Sequence, residues 1–227
     1  MEDCKMAEIP IKYCFFDFDG TLGDTCNGIR NAWLQTIAEN NLECPDFDRV
    51  FRVGPPAEMI VHKLFPEASD EKCAELAAAY KRCYDNSEQI GEKPYPWSLG
   101  ILDFCRDAKF KLYVVTYKRF KSTWMLTRRY GFENYFDGMF CTDILPGQMF
   151  HKAELLKVAL KVTGASPDEC VMIGDTELDV LAGKEAGMRT IAVSWGYGAV
   201  DSLQASKPDF IAGNSDEFLE IFRKNFC

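Results

Sequence analysis

Short apolar runs separated by stretches of helical periodicity constrain the fold of this chain more than any other feature. Tyr13-Cys14-Phe15-Phe16, Leu112 to Val115, Val171 to Ile173 and Thr190 to Val193 are each too short for a helix and lie between breakers or polar loops. They read as buried strands. Helical spacing fills the intervals. Ala153 to Thr163 carries an apolar face and stops at Gly164, and Glu177 to Ala186 puts Leu178, Leu181, Ala182 and Ala186 on one side before Gly187. A short final helix is expected over Asp216 to Phe222, after Ser215. Strands alternating with helices predict an α/β protein with a parallel sheet.

The interval from Phe16 to Leu112 is too long for an ordinary crossover between parallel strands. Within it Ile29, Ala32, Trp33, Thr36 and Ile37 repeat at helical spacing, as do Cys73, Leu76, Ala77, Tyr80 and Tyr84. The expected architecture is therefore a Rossmann-like parallel core of residues 1–23 and 93–227, with an α-helical subdomain of residues 24–92 inserted. Pro94-Tyr95-Pro96 marks the return to the core, because proline disfavours helix at the residue before it.

Composition excludes several classes of function. A net charge of −9 over 227 residues opposes non-specific nucleic-acid binding, though not a local anion pocket. No apolar stretch approaches a membrane span, and Met1 to Tyr13 has no apolar export signal. The ten cysteines form no CxxC pair and read as reduced thiols. A cytoplasmic location is expected.

The chemistry is concentrated in four places. Asp17-Phe18-Asp19-Gly20-Thr21 directly follows the first strand. Carboxylates at i and i+2 of an extended segment point the same way, and at the carboxyl end of a parallel strand they face the ligand site of an open sheet. Two such groups repel, so a cation joins them or one holds a proton. Either condition suits phosphoryl transfer, with one Asp attacking phosphorus and the other passing a proton. The bland alternative is a strand ending in a polar turn. A second acidic pair, Asp175 and Asp179, follows Val171 to Ile173. Asp175 fits a divalent-cation ligand and Asp179 an outer partner orienting metal-bound water, while acidic capping of a helix would need no metal. Thr116, at the end of its strand, and Lys152, after the Pro146-Gly147 turn, are candidate phosphate binders. Lys118 and Arg119 read as a solvated loop, and His151 and His62 are weak candidates for a base.

These four elements, in this order, resemble the haloacid dehalogenase superfamily over Tyr13 to about Phe222. The resemblance implies that Asp17 is the nucleophile, Asp19 the general acid/base, and Thr116 and Lys152 further catalytic, phosphate-holding groups. It implies Mg²⁺ held by the Asp17 side chain, the Asp19 backbone carbonyl and Asp175, with Asp179 outside that shell. The insertion is similar to the family's small helical cap. Gly54-Pro55-Pro56 stands where phosphoglycolate-phosphatase-like members carry a substrate-facing loop, and the stretch Gly183 to Gly198 resembles the same branch. Tyr117 replaces an Asn frequent after the Thr and is expected near the substrate, and no proline follows Lys152. Asp19 argues against a dehalogenase, and Ile29, standing at the mutases' His position, argues against a sugar phosphomutase. The implied protein is a monomeric or homodimeric phosphatase of a small phosphorylated metabolite, with phosphoglycolate first. A phosphotransferase or nucleotidase of the same fold and a non-catalytic phosphate-binding protein are the rivals.

Overall fold

A computed structural model describes residues 10–87, 91–145 and 150–227 of the chain. The strands and helices, in chain order, are β1 (Tyr13–Phe16), β2 (Gly23–Asp24), α1 (Cys26–Glu39), α2 (Phe47–Val50), α3 (Ala57–Leu64), α4 (Asp70–Asn86), β3 (Lys93–Pro94), α5 (Ser98–Asp107), β4 (Lys111–Thr116), α6 (Phe120–Arg129), β5 (Gly138–Cys141), α7 (Lys152–Thr163), β6 (Cys170–Gly174), α8 (Glu177–Glu185), β7 (Arg189–Val193), α9 (Val200–Ala205), β8 (Phe210–Ala212) and α10 (Ser215–Asn225). Six strands form a parallel sheet in the order β5-β4-β1-β6-β7-β8.

Alternation along β1 explains the layers. Cys14 and Phe16 join one apolar cluster, packed with Ile101 and Leu102 of α5, Leu126 of α6 and Phe218 and Phe222 of α10. Phe15 points the other way, into a cluster with Leu155 and Leu156 of α7 and Ala182 of α8. With helices on both faces the strands read as continuous apolar runs. All four expected strands form. The edge strands β5 and β8 carry three apolar residues each, Met139-Phe140-Cys141 and Phe210-Ile211-Ala212, and were not assigned from the sequence.

The expected face of α8 needs correction. Leu181 is 52% exposed, whereas Asp179, Val180 and Gly183 are buried. The helix is rotated so that it presents Asp179 to the strand ends, and Leu181 is left on the outside. The other two late helices form within one to three residues of expectation, and α7 stops at Gly164 with φ 70°.

Between β2 and β3 the chain is helical and holds a core of its own. Trp33 stacks on Tyr80 with ring centroids 4.1 Å apart, surrounded by Ile29, Phe47, Ile60 and Leu76. β2 and β3 pair antiparallel where this insertion leaves and rejoins the sheet, and the Tyr95 N–H and Ser98 Oγ both donate to the Leu22 carbonyl there.

Candidate active site

Three adjacent central strands deliver the candidate site. Phe16 is in register with Val114 of β4 and Ile173 of β6, so Asp17, Thr116 and Asp175 emerge side by side at the carboxyl ends of β1, β4 and β6. Strand order reverses between β1 and β6, the position where open α/β sheets bind ligands. A tight turn follows Asp17: the Gly20 N–H donates to the Gly23 carbonyl, and Leu22 N–H to Phe18. Gly20 has φ +78°, and a Cβ there would lie 2.1 Å from Asp175 Oδ2. Only glycine allows that approach.

Asp17, Asp175 and Asp179 are all buried and offer carboxylate oxygens within 4.8 Å of one another. One ammonium answers them: Lys152 Nζ lies 3.0 Å from Asp17 Oδ2 and also pairs with Asp179 Oδ1. Asp179 is saturated, because its Oδ2 accepts from the backbone N–H and hydroxyl of Thr176. Capping and site-building are thus combined in one side chain. Asp175 accepts from Thr21 Oγ1 at 3.2 Å and from the Tyr197 N–H at 2.7 Å. Asp17 Oδ1 has no partner among the described residues, although it is buried.

The electrostatics follow from this excess of acid. Burial, and then the neighbouring Asp179 and Asp19, push the Asp17 carboxyl up to about 7 against the opposing pull of Lys152. Asp175 is raised by burial and by Asp179 and Asp17. Burial alone would lower Lys152, but Asp17 and Asp179 outweigh it and hold the ammonium above its ordinary value. Three buried carboxylates facing one ammonium, with one oxygen unpartnered, are the donor set that a hard divalent cation takes.

Asp19 lies apart from this cluster. Its Oδ1 accepts from Thr25 Oγ1 at 2.6 Å and pairs with Lys118 Nζ at 2.9 Å. The solvated-loop reading of Lys118 is corrected here, since the residue is only 8% exposed. Its neighbour Arg119 reaches Asp85 at 2.5 Å and Asp143 at 3.5 Å. Thr116 is buried, and its hydroxyl accepts from the Lys118 N–H. The Tyr117 hydroxyl accepts from the Lys152 N–H, and its ring lies 5.1 Å from Lys152 Nζ, so Tyr117 helps to fix that lysine. Gly54 lines a cleft between the insertion and the sheet, together with Asp19, Arg52, Tyr84, Tyr117 and Lys118. His151 is exposed at the start of α7, and His62 contacts Cys73 inside the insertion. The Pro146-Gly147 turn lies outside the described residues.

Sequence reasoning missed the support around Asp19. Tyr197 accepts from the N–H groups of Thr25 and Cys26 and donates to Asp24 Oδ1, tying the Asp19 turn to the loop after β7. Tyr84 read as a core residue on a helical stripe, and Glu92 carried no signal at all.

The model of the haloacid dehalogenase-like hydrolase family matches residues 14–193. The chain belongs to that family. It is 29% identical to a pyrophosphatase, PpaX, of Bacillus velezensis over 95% of its own length and 98% of that protein. To a phosphoglycolate phosphatase of Aquifex aeolicus it is 27% identical over 93% and 96%. A haloacid dehalogenase-like hydrolase structure from Streptococcus pneumoniae superimposes with a TM-score of 0.81 at 29% identity, covering 93% of this chain and 98% of that one. A predicted phosphatase from Clostridium acetobutylicum reaches 0.86 at 24% identity, covering 95% and 100%, and attests the fold. No described helix is long and apolar enough to cross a membrane.

Proposed function

We propose that this hydrolase is a Mg²⁺-dependent phosphatase of small phosphomonoesters, working through an aspartyl-phosphate on Asp17, with phosphoglycolate as the first substrate to test. The observation that carries this reading is Asp17 itself. It is fixed through Oδ2 by Lys152, while Oδ1 stays buried and unpartnered at the point where strand order reverses. Such an oxygen is costly to maintain unless a ligand meets it.

In the first half-reaction an Asp17 oxygen bonds to phosphorus as the ester P–O bond breaks, and Asp19 gives its proton to the departing alkoxide. In the second, Asp19 takes a proton from water. That water attacks phosphorus, the Asp17–phosphorus bond breaks, and inorganic phosphate leaves with Asp17 regenerated. Lys152 and Thr116 would meet the non-bridging oxygens. Asp17, Asp175 and the Asp19 carbonyl would hold Mg²⁺, with Asp179 orienting its waters; the ion would neutralise the phosphate's charge. Residues 24–92 would act as a cap that excludes water and reads the substrate through the Gly54 loop and Tyr117. Similarity to a phosphoglycolate phosphatase and to a pyrophosphatase supports small phosphorylated substrates.

The test is phosphate release from a panel of small phosphomonoesters and pyrophosphate, with Mg²⁺ and with EDTA, for wild type and Asp17→Asn. Turnover that EDTA abolishes and that Asp17→Asn lowers by at least about 10³-fold is expected. Full activity in Asp17→Asn would overturn the assignment of the nucleophile.

A further inference from the structure

A chain of hydrogen bonds runs from the root of the helical insertion to Asp19. Lys118 Nζ, which pairs with Asp19 Oδ1, also donates to the Tyr84 hydroxyl at 2.5 Å. Tyr84, near the end of α4, donates in turn to Glu92 Oε1 at 2.7 Å. Glu92 immediately precedes β3, where the insertion rejoins the sheet, and is only 7% exposed. Its second oxygen, Oε2, is buried without a partner among the described residues. α1 makes room for this carboxyl with Gly28, where a Cβ would fall 1.9 Å from Glu92 Oε1. Lys118, Tyr84 and Glu92 therefore form a relay that ends on one oxygen of Asp19, with a buried carboxyl at its far end.

We infer that Tyr84 and Glu92 are positioning residues for Asp19, holding Lys118 on Oδ1 so that Oδ2 is presented to the leaving oxygen. The geometry supports this specifically. Both donors to Asp19, Thr25 and Lys118, act on Oδ1, and so set the carboxylate's rotation without occupying its other oxygen. Lys118 would otherwise be a long, rotamer-rich side chain at the cleft. Tyr84 contacts it through both hydroxyl and ring, whose centroid is 4.3 Å from Nζ. Tyr84 and Glu92 belong to the insertion and its return segment, so proton delivery in the core is tied to where the insertion sits. Burial raises the Glu92 carboxyl to about 7, against the pull of Lys118, the Tyr84 hydrogen bond and Arg129 and with a smaller push from Asp19. Protonated or not, it retains an oxygen that accepts from Tyr84.

This inference rests on Asp19 acting as the general acid, and the test separates the two claims. kcat/KM covers only the steps through departure of the leaving group. It would be measured for an alkyl phosphomonoester, whose alkoxide needs a proton, and for p-nitrophenyl phosphate, whose phenolate does not. Asp19→Asn should lower the alkyl-to-aryl ratio sharply; an unchanged ratio there would refute the acid role itself. Given that role, Tyr84→Phe and Glu92→Leu are expected to lower the ratio about tenfold, and Glu92→Gln, which keeps an acceptor for Tyr84, to restore most of it. A merely structural role would lower both substrates together. If Tyr84→Phe and Glu92→Leu, both shown to be folded by their thermal midpoints, keep the wild-type ratio while Asp19→Asn loses it, the positioning role is overturned.

Discussion

The floor and the roof of the cleft are built on opposite principles. The floor is dry and over-acidic: Asp17, Asp175, Asp179 and Lys152 are all buried at the ends of sheet strands or at the first turns of α7 and α8. The roof is wetter, and its charges mostly neutralise one another locally, as in Lys81–Glu58 at 2.5 Å and Arg119–Asp85 at 2.5 Å. In the floor, hydrogen bonding to secondary structure leaves almost no freedom to move. In the roof, ion pairs between partly exposed side chains can be exchanged for a ligand at little cost. On the proposed function, the difference divides the tasks: a rigid floor for the reaction common to many substrates, an adaptable roof for choosing among them.

The largest effect is expected from breaking the floor. Lys152→Met leaves three buried carboxylates without their ammonium, and should destabilise the metal-free protein by about 3–5 kcal/mol. Denaturant unfolding would measure this, and added Mg²⁺ should recover part of the loss. A variant as stable as wild type would show that the floor is less strictly buried than it looks.

A smaller effect is expected at the seam, where Glu92 is buried with its carboxyl raised from 4.5 to about 7. The folded state then holds a proton that the unfolded chain has released. Its contribution to stability is full below about 4.5 and is lost as pH rises through about 7. Unfolding free energy should fall across that window by about 2 kcal/mol more in wild type than in Glu92→Gln. Identical slopes would mean that Glu92 is better solvated than its surroundings indicate.

The smallest effect should come from the roof. Arg52 lines the cleft and bonds the carbonyl of its neighbour Phe51 at 2.6 Å rather than a carboxylate. Arg52→Ala is expected to raise KM for phosphoglycolate about tenfold with kcat little changed, the signature of a lost ground-state contact. An equal rise for a phosphomonoester with no second anionic group would remove Arg52 from substrate selection.

The same contrast decides what could be read from the sequence. The floor was legible because each of its residues follows a short apolar run or opens a helix, so position along the chain implied position in space. Asp17, Thr116 and Asp175 needed only the strand register to meet. The support around Asp19 was not legible. Lys118 looks like any loop lysine, Tyr84 completes an apolar helical stripe, and Glu92 precedes a proline-rich return; tertiary packing alone brings them together. Leu181 failed for a related reason. Apolar periodicity placed it inside, but the requirement to aim Asp179 at Lys152 fixed the rotation of α8 instead. The edge strands β5 and β8 escaped although Met139-Phe140-Cys141 and Phe210-Ile211-Ala212 are apolar runs as long as Val171 to Ile173, so these two were legible and were overlooked.

The most direct test of the account is to trap the covalent intermediate. Wild type and Asp17→Asn would be mixed with Mg²⁺ and the best phosphomonoester of the panel, quenched in acid within one turnover, digested and analysed by mass spectrometry. The account predicts a phosphoryl group on the peptide containing Asp17, confined to that residue, lost once the substrate is exhausted and absent from Asp17→Asn. A phosphoryl group on another residue, or rapid turnover with no phosphorylated peptide at any quench time, would contradict it.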